Sequence, residues 1–374
     1  MLHPLIIEQL HSYEYQALMG MAPARIPHWE FLGCPDAETF ITGIDHYAHP
    51  RQCRLRLKEL YPMLNVDIPA TDDPLPKPGL DRDGHTVGVT DTGHHVVRWA
   101  DSQTFHWDFG ERFHTVEDVF AFSPLAEPDF THTSIVTNWD FTDEERLYRQ
   151  FRAQLPAEWG DTAPPGAIEM VGTYQTMFMW PLLTFGWALF MEACLDERFE
   201  RLMDEFTELN RRLFRAFARL PVHFVTCHDD IVNTRGPVCS PAWMHKYVFP
   251  RYEEFWSILK AAGKRVIFIS DGCLDTYVPD VFACGASGVL CEPYTNLRAV
   301  AEAHENCFIA GEGDTRILAR NNPEEITAMV RRMVDTSRIT GGYHFRIGNE
   351  FTWNTPVEAV KLYLDLCNEW GVRG

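Results

Sequence analysis

Three short apolar runs late in the chain each end in a carboxylate: Val266-Ile267-Phe268-Ile269-Ser270-Asp271, Gly288-Val289-Leu290-Cys291-Glu292 and Cys307-Phe308-Ile309-Ala310-Gly311-Glu312. A helical segment follows each of the first two and leads into the next run. The acids therefore recur at about twenty residues, close to the shortest repeat that a strand–helix unit fills. In a parallel barrel all strand C-termini open onto one face, so Asp271, Glu292 and Glu312 are predicted to converge there. An earlier run, Val222 to Cys227, ends in His228-Asp229-Asp230. One of those three side chains is expected to point into the site while the others cap or pair. Acids gathered at one mouth are costly to assemble without a proton, a metal or a cationic ligand to share. The pattern predicts an enzyme.

The net charge of −20 leaves no basic face for nucleic acid and disfavours an anionic membrane surface. No run of eighteen apolar residues offers a bilayer span. Met1 to Leu10 contains no basic n-region, so no secretory signal is expected. The ten cysteines include no C-x-x-C pair, which argues against a disulfide framework or zinc ribbon and for a reducing cytoplasm. Several fall inside predicted strands or helices, where Cys acts as a small buried apolar residue.

Residues 1–165 read as an N-terminal elaboration that contributes a first strand near 26–31. Thr86–Thr90 and His95–Trp99 alternate around Asp91-Thr92-Gly93 and predict a β-hairpin outside the core. Glu158 to Gly166 is a candidate linker. Regular alternation fills 166–374, with strands expected at 167–173, 222–229, 265–271, 288–292, 307–312 and 343–348. Strand 26–31 and one unassigned early strand bring the count to eight. Leu202, Phe206, Leu209, Leu213 and Phe217 recur at three- and four-residue steps and predict one buried helical stripe. Ser240-Pro241, Asn322-Pro323 and the capping-box spacing Thr355-Pro356-Val357-Glu358 mark helix starts. The expected fold is α/β, a single (β/α)8 TIM barrel over 1–374 with an N-terminal elaboration that includes a hairpin. No G-x-G-x-x-G or P-loop follows any strand, which removes the usual nucleotide folds.

His228-Asp229-Asp230-Ile231, Arg235-Gly236-Pro237, Ser240-Pro241 and Pro250-Arg251-Tyr252 follow in an order that resembles the middle of the uroporphyrinogen decarboxylase superfamily. Ser270-Asp271-Gly272 and Gly341-Gly342-Tyr343 through Gly348-Asn349 extend the resemblance. It implies a (β/α)8 barrel with its active site at the strand C-termini. The superfamily includes cofactor-free porphyrinogen decarboxylases and methyltransferases that serve a corrinoid protein. The decarboxylases carry an M-R-Q-A-G-R segment that holds substrate carboxylates; Pro27 to Gly33 here has no Arg and contains Glu30. The zinc methyltransferases use a His-x-Cys pair where this chain has Ile269-Ser270-Asp271, and a later Cys absent from Phe345 to Glu350. Coenzyme M is therefore a poor methyl acceptor for this chain. An oxygen-rich set remains, His228, Asp271, Glu292 and Glu312, similar in spirit to the corrinoid-dependent O-demethylases of the superfamily.

The resemblance implies methyl transfer from a methoxylated, aromatic substrate to cobalamin or another corrinoid carried by a partner protein. Breaking an ether needs its oxygen protonated or bound by a Lewis acid. A zinc on His228, Asp271, Glu292 and Glu312, or a proton on one of the crowded acids, would serve. Tyr174, Met177, Trp180 and Phe185 line either an apolar slot for a ring or ordinary helix–barrel packing. Arg346, beside Asn349, either binds a substrate carboxylate or pairs with a nearby acid. The alternative activity is a cofactor-free decarboxylase acting on a small carboxylic acid, with Arg346 and Arg235 as the available cations. A barrel that binds without turnover would leave the strand-end acids unexplained. A carboxylate after a strand is also a common helix N-cap, the competing role for Asp271 before Gly272. A homodimer is among the expected assemblies.

Overall fold

In the computed structural model the described residues are 12–75, 86–89, 95–97, 112–130, 139–158, 170–174 and 176–373. The N-terminal Met1–Leu10 and nearly all of the candidate linker, 159–166, lie outside them. Eight short strands carry the architecture: β1 (His28–Trp29), β2 (Leu64–Asn65), β3 (Met170–Thr173), β4 (Phe224–His228), β5 (Arg265–Ser270), β6 (Gly288–Cys291), β7 (Phe308–Ala310) and β8 (Gly342–Tyr343). Strands β3 to β8 form one parallel sheet in chain order. β1 pairs in parallel with β2, and a parallel bridge between His28 and Phe345 sets β1 beside the extension of β8. The order is that of a TIM barrel. Among the described residues β8 and β1 are joined only by single bridges, and no pairing joins β2 to β3.

The early strand that the sequence left unassigned is Leu64–Asn65. β1 and β8 are shorter than expected, because beyond them pairing survives only as single bridges, Leu32 with Phe351 and Gly313 with Ile347. The hairpin forms as antiparallel strands Thr86–Val89 and His95–Val97.

Side chains on the strands sort by the two-residue period of β structure. Met170, Phe224, Ile267, Ile269, Leu290, Phe308 and Ala310 turn inward with Trp29 and form the barrel interior. Tyr15, Leu18 and Met19, on or beside the helix Tyr13–Leu18, close its lower end, and the Ser12 hydroxyl caps that helix. Val225, Cys227, Val266, Phe268, Val289, Cys291 and Ile309 turn outward into the core shared with the helices. There the 21-residue helix Phe199–Arg219 buries Leu202, Phe206, Leu209, Leu213 and Phe217, as their spacing predicts. Each such side chain contributes about 2 kcal/mol of transfer free energy. All ten cysteines are free thiols, and nine are buried.

Ser240 and Asn322 cap their helices through side-chain oxygens. The capping box expected at Thr355 is not made: the last helix, Val357–Trp370, starts behind Pro356, and the Thr355 hydroxyl meets that of Thr352 at 3.1 Å.

Gly311, at the end of β7, has φ +102°, and a Cβ there would lie 1.9 Å from the carbonyl oxygen of Cys291. Both features demand glycine. Gly311→Ala is expected to cost at least about 2 kcal/mol, read as a lower denaturant midpoint. An unchanged midpoint would show that the turn tolerates a side chain.

Candidate active site

The inward register of the strands continues past their ends and selects the residues at the barrel mouth. His228 follows Phe224 on the inward face of β4, Asp271 follows Ile267 and Ile269 beyond β5, and Glu292 follows Leu290 beyond β6. Asp229, one residue out of phase with His228, points the other way and is fully buried. Its carboxylate accepts hydrogen bonds from the backbone N–H groups of Met177, Phe178 and Met179 at 3.0, 2.9 and 2.6 Å. The hydroxyls of Thr176 and Tyr252 also donate to it, each at 2.5 Å. Asp229 thus anchors the N-terminus of the helix Met179–Phe185, where a helix favours negative charge.

Asp230 joins His228 and Asp271 instead. The His228 Nε2 lies 3.0 Å from Asp230 Oδ1, and that oxygen also accepts the backbone N–H of Asp271 at 2.7 Å. One donor atom from each of His228, Asp230 and Asp271 lies within 4.8 Å of the other two. Asn349 donates to Asp271 Oδ2 at 3.1 Å, and the Tyr174 ring packs edge-on against the His228 ring with centroids 4.2 Å apart. Glu292 stands beside Asp271 and accepts the N–H of Gly272 at 2.7 Å. Asp271 is no helix cap: the next helix, Val278–Cys284, starts behind Tyr277 without a side-chain cap.

Burial and the charges of Asp230 and Glu292 push the Asp271 carboxyl up to about 7, with His228 opposing. Burial alone would depress the His228 imidazole, but the carboxylates of Asp230, Asp271 and Asp229 outweigh it and hold it above its ordinary value. Burial, then Asp230, Asp271 and Asp229, raises the Tyr174 phenol as well. The mouth therefore holds a carboxylic acid that gives or takes a proton near neutral pH, next to an imidazole that favours its charged form.

Arg346 is buried at the same mouth, its guanidinium 4.2 Å from the Phe31 ring centroid and 4.9 Å from that of Trp29. Its hydrogen bonds go to backbone carbonyls, Trp29 at 3.2 Å and Asn349 at 3.5 Å, and Nε has no partner. The ion pair with a neighbouring acid, one of its two expected roles, is not made. The other cation considered, Arg235, is exposed.

Four expected site residues are turned elsewhere. Glu312 would face the mouth if β7 kept its register, but the positive φ of Gly311 reverses it. Its carboxylate instead takes the Tyr343 hydroxyl at 2.7 Å, the Thr336 hydroxyl at 3.1 Å and Arg332 Nε at 3.3 Å. Met177 is buried with its sulfur 3.6 Å from Asn210 Nδ2 on the long helix. Trp180 packs among Phe130, Phe141 and Phe206, and Phe185 among Phe113, Phe122 and Phe206. For these aromatic residues packing is the role, not a substrate slot. Asp230 belongs in the set and was not singled out within its run. Counting outward from Phe224 and Thr226 would have marked His228 and Asp230 as partners in phase.

Strand order and inward acids at the C-terminal ends together define a TIM-barrel enzyme site. Residues 188–370 match the uroporphyrinogen decarboxylase (URO-D) family. A methyltransferase from Methanosarcina mazei has a similar structure, with a TM-score of 0.58 at 14% identity, over 96% of this chain and 99% of that one. The resemblance to the uroporphyrinogen decarboxylase superfamily and the barrel fold are both borne out. A D-psicose 3-epimerase from Clostridium cellulolyticum H10 matches at 10% identity over 62% of this chain and 82% of that one, with a TM-score of 0.31. A xylose isomerase-like TIM barrel protein from Mycobacterium smegmatis matches at 11% over 69% and 99%, with a TM-score of 0.28. At those scores neither carries an argument. No curated protein matches the sequence.

The donors at the mouth fit a divalent metal such as zinc, with one imidazole nitrogen and carboxylate oxygens in reach of a common point. The set is His228, Asp230 and Asp271, with Glu292 alongside and Glu312 removed. An open groove of about 560 Å³ at Arg265, Ser287, His304 and Cys307 lies by the N-terminal ends of the strands, away from these groups.

Two substitutions separate the acids. Glu312→Gln is expected to lower thermal stability and leave turnover within about threefold, since it touches packing and not the mouth. Asp271→Asn is expected to stabilise the protein above neutral pH. The folded-state value is raised, so the native state binds more protons between the ordinary carboxylate range and about 7, and stability falls as pH rises across that window. Melting curves of Asp271→Asn and the parent at pH 5 and pH 8 check this. A stabilisation no larger at pH 8 than at pH 5 would mean that Asp271 is not held protonated.

Proposed function

We propose that this chain is a methyltransferase that takes a methyl group from a methoxylated aromatic compound and delivers it to a corrinoid protein. The observation that carries the reading is the proton-holding cluster His228–Asp230–Asp271 at the mouth of a barrel shaped like a methyltransferase. An ether oxygen is a poor leaving group until it is protonated or metal-bound. Asp271, poised near neutral pH, gives that oxygen a proton as the carbon–oxygen bond breaks. Asp230 holds His228 and the Asp271 backbone, so the acid is presented at a fixed point. Tyr174 forms a wall of the site, and Asn349 orients Asp271. Arg346, buried without a carboxylate partner between Trp29 and Phe31, receives an acidic group on the aromatic substrate. The corrinoid of the partner supplies the nucleophile that accepts the methyl group. Zinc, where bound by His228, Asp230 and Asp271, supplies a Lewis acid for the ether oxygen.

The buried Arg346 beside a protonated Asp271 also favours a second reading. A cofactor-free decarboxylase would use the same pair, the cation for the carboxylate and the acid for the carbon.

The test mixes the purified chain with reduced cobalamin and a panel of methoxylated benzoates and follows the cobalt spectrum. Methyl transfer gives the methylcobalamin spectrum only when both chain and ether are present. Asp271→Asn is expected to slow it by about 10²–10⁴. On the proton route the active form is the protonated one, so the rate falls as pH rises through about 7. Silence across the panel together with carbon dioxide release from small carboxylic acids would replace this reading with the lyase.

A further inference from the structure

A second group of ligating side chains lies outside the barrel mouth, in the crossover between β1 and β2. Glu38 sits on the helix Pro35–Thr42, His46 in the turn that follows and Cys53 on the helix Pro50–Leu60. All three are buried, at 1%, 5% and 0% exposure. One donor atom from each, a carboxylate oxygen, an imidazole nitrogen and a thiol sulfur, lies within 4.8 Å of the other two. The mouth chemistry uses none of them.

Hydrogen bonding among the three is lopsided. Glu38 Oε2 takes both Arg54 Nε and His46 Nδ1, the latter at 3.0 Å. Glu38 Oε1 is sealed from water and has no partner. A buried carboxylate oxygen left bare costs about 1–3 kcal/mol or more. The Cys53 sulfur has Thr42 Oγ1 at 3.3 Å. Arg54 also binds the carbonyls of Leu32 and Asp67, at 3.2 and 3.0 Å, so the carboxylate is fixed by a group that is itself anchored. A carboxylate held from outside in this way is how proteins orient metal ligands.

We propose that Glu38, His46 and Cys53 form a structural site for a divalent transition metal, separate from the catalytic mouth. Sulfur, nitrogen and oxygen donors together favour zinc or cobalt over magnesium or calcium. The metal ties the two crossover helices to each other behind Leu32, and so steadies the stretch of β1 that holds Trp29 and Phe31 against Arg346. A bound metal would hold Cys53 as its thiolate and His46 as its neutral imidazole, the forms in which these side chains ligate.

Cobalt(II) distinguishes this site from the mouth, because only this one offers a thiolate. The chelator-treated full chain, kept reduced, is titrated with cobalt(II) and followed in the near ultraviolet. The expected result is a thiolate-to-cobalt band that saturates at about one equivalent. Zinc should displace it. Cys53→Ser and His46→Gln, both checked for fold by circular dichroism, should abolish the band or weaken binding at least about tenfold. Asp271→Asn should leave it intact. Absence of a thiolate band in the parent chain, or its persistence in Cys53→Ser, would overturn the proposal. Neither outcome bears on methyl transfer, which Asp271→Asn reports separately.

Discussion

Everything at the mouth depends on holding acids side by side where water screens them poorly. Asp271 lies beside both Asp230 and Glu292, and the penalty for charging it among them is met by keeping a proton on Asp271 and by the neighbouring imidazole. Burial is the larger cause of the raised Asp271 value, and the charges of Asp230 and Glu292 add to it. The geometry and the proton therefore imply each other. Asp229, one residue from Asp230, is buried more deeply and burial raises its carboxyl too, but five hydrogen-bond donors surround it and oppose that rise, and it serves as an anchor.

That contrast follows from the strand period. A residue on a barrel strand faces either the interior or the helices, and a one-residue step exchanges the two. His228 and Asp229 are adjacent in sequence and lie on opposite sides of the wall. The same rule carries Ile269 to Asp271 and Leu290 to Glu292, and it fails at Glu312 because Gly311 leaves the extended region.

Much of this was legible in the sequence. The strand–helix repeat gave six of the eight strands and placed Asp271 and Glu292 at one mouth. β2 escaped because two paired residues, Leu64 and Asn65, leave no periodic trace. Glu312 was misplaced because its position in the repeat matches that of its neighbours, and one glycine torsion decides its direction. Met177 and Trp180 were open to two roles, since an apolar residue after a strand end packs equally well against ligand or helix; tertiary contacts with Asn210 and Phe206 chose the helix. The isolation of Arg346 was invisible, because nothing in sequence says which nearby acid will be spoken for by other donors. Glu30, the obvious partner, is taken by His28, Tyr363 and the backbone of Ile347.

The account rests on a proton shared at the mouth, and vibrational spectroscopy reads it directly. Infrared difference spectra of the parent chain and Asp271→Asn, recorded across a pH titration, isolate the carbonyl stretch of a protonated carboxyl at that position. The account expects such a band at pH 6, absent from the variant and bleaching with a midpoint near 7. Loss of the band in the ordinary carboxylate range, below about pH 5, would contradict it.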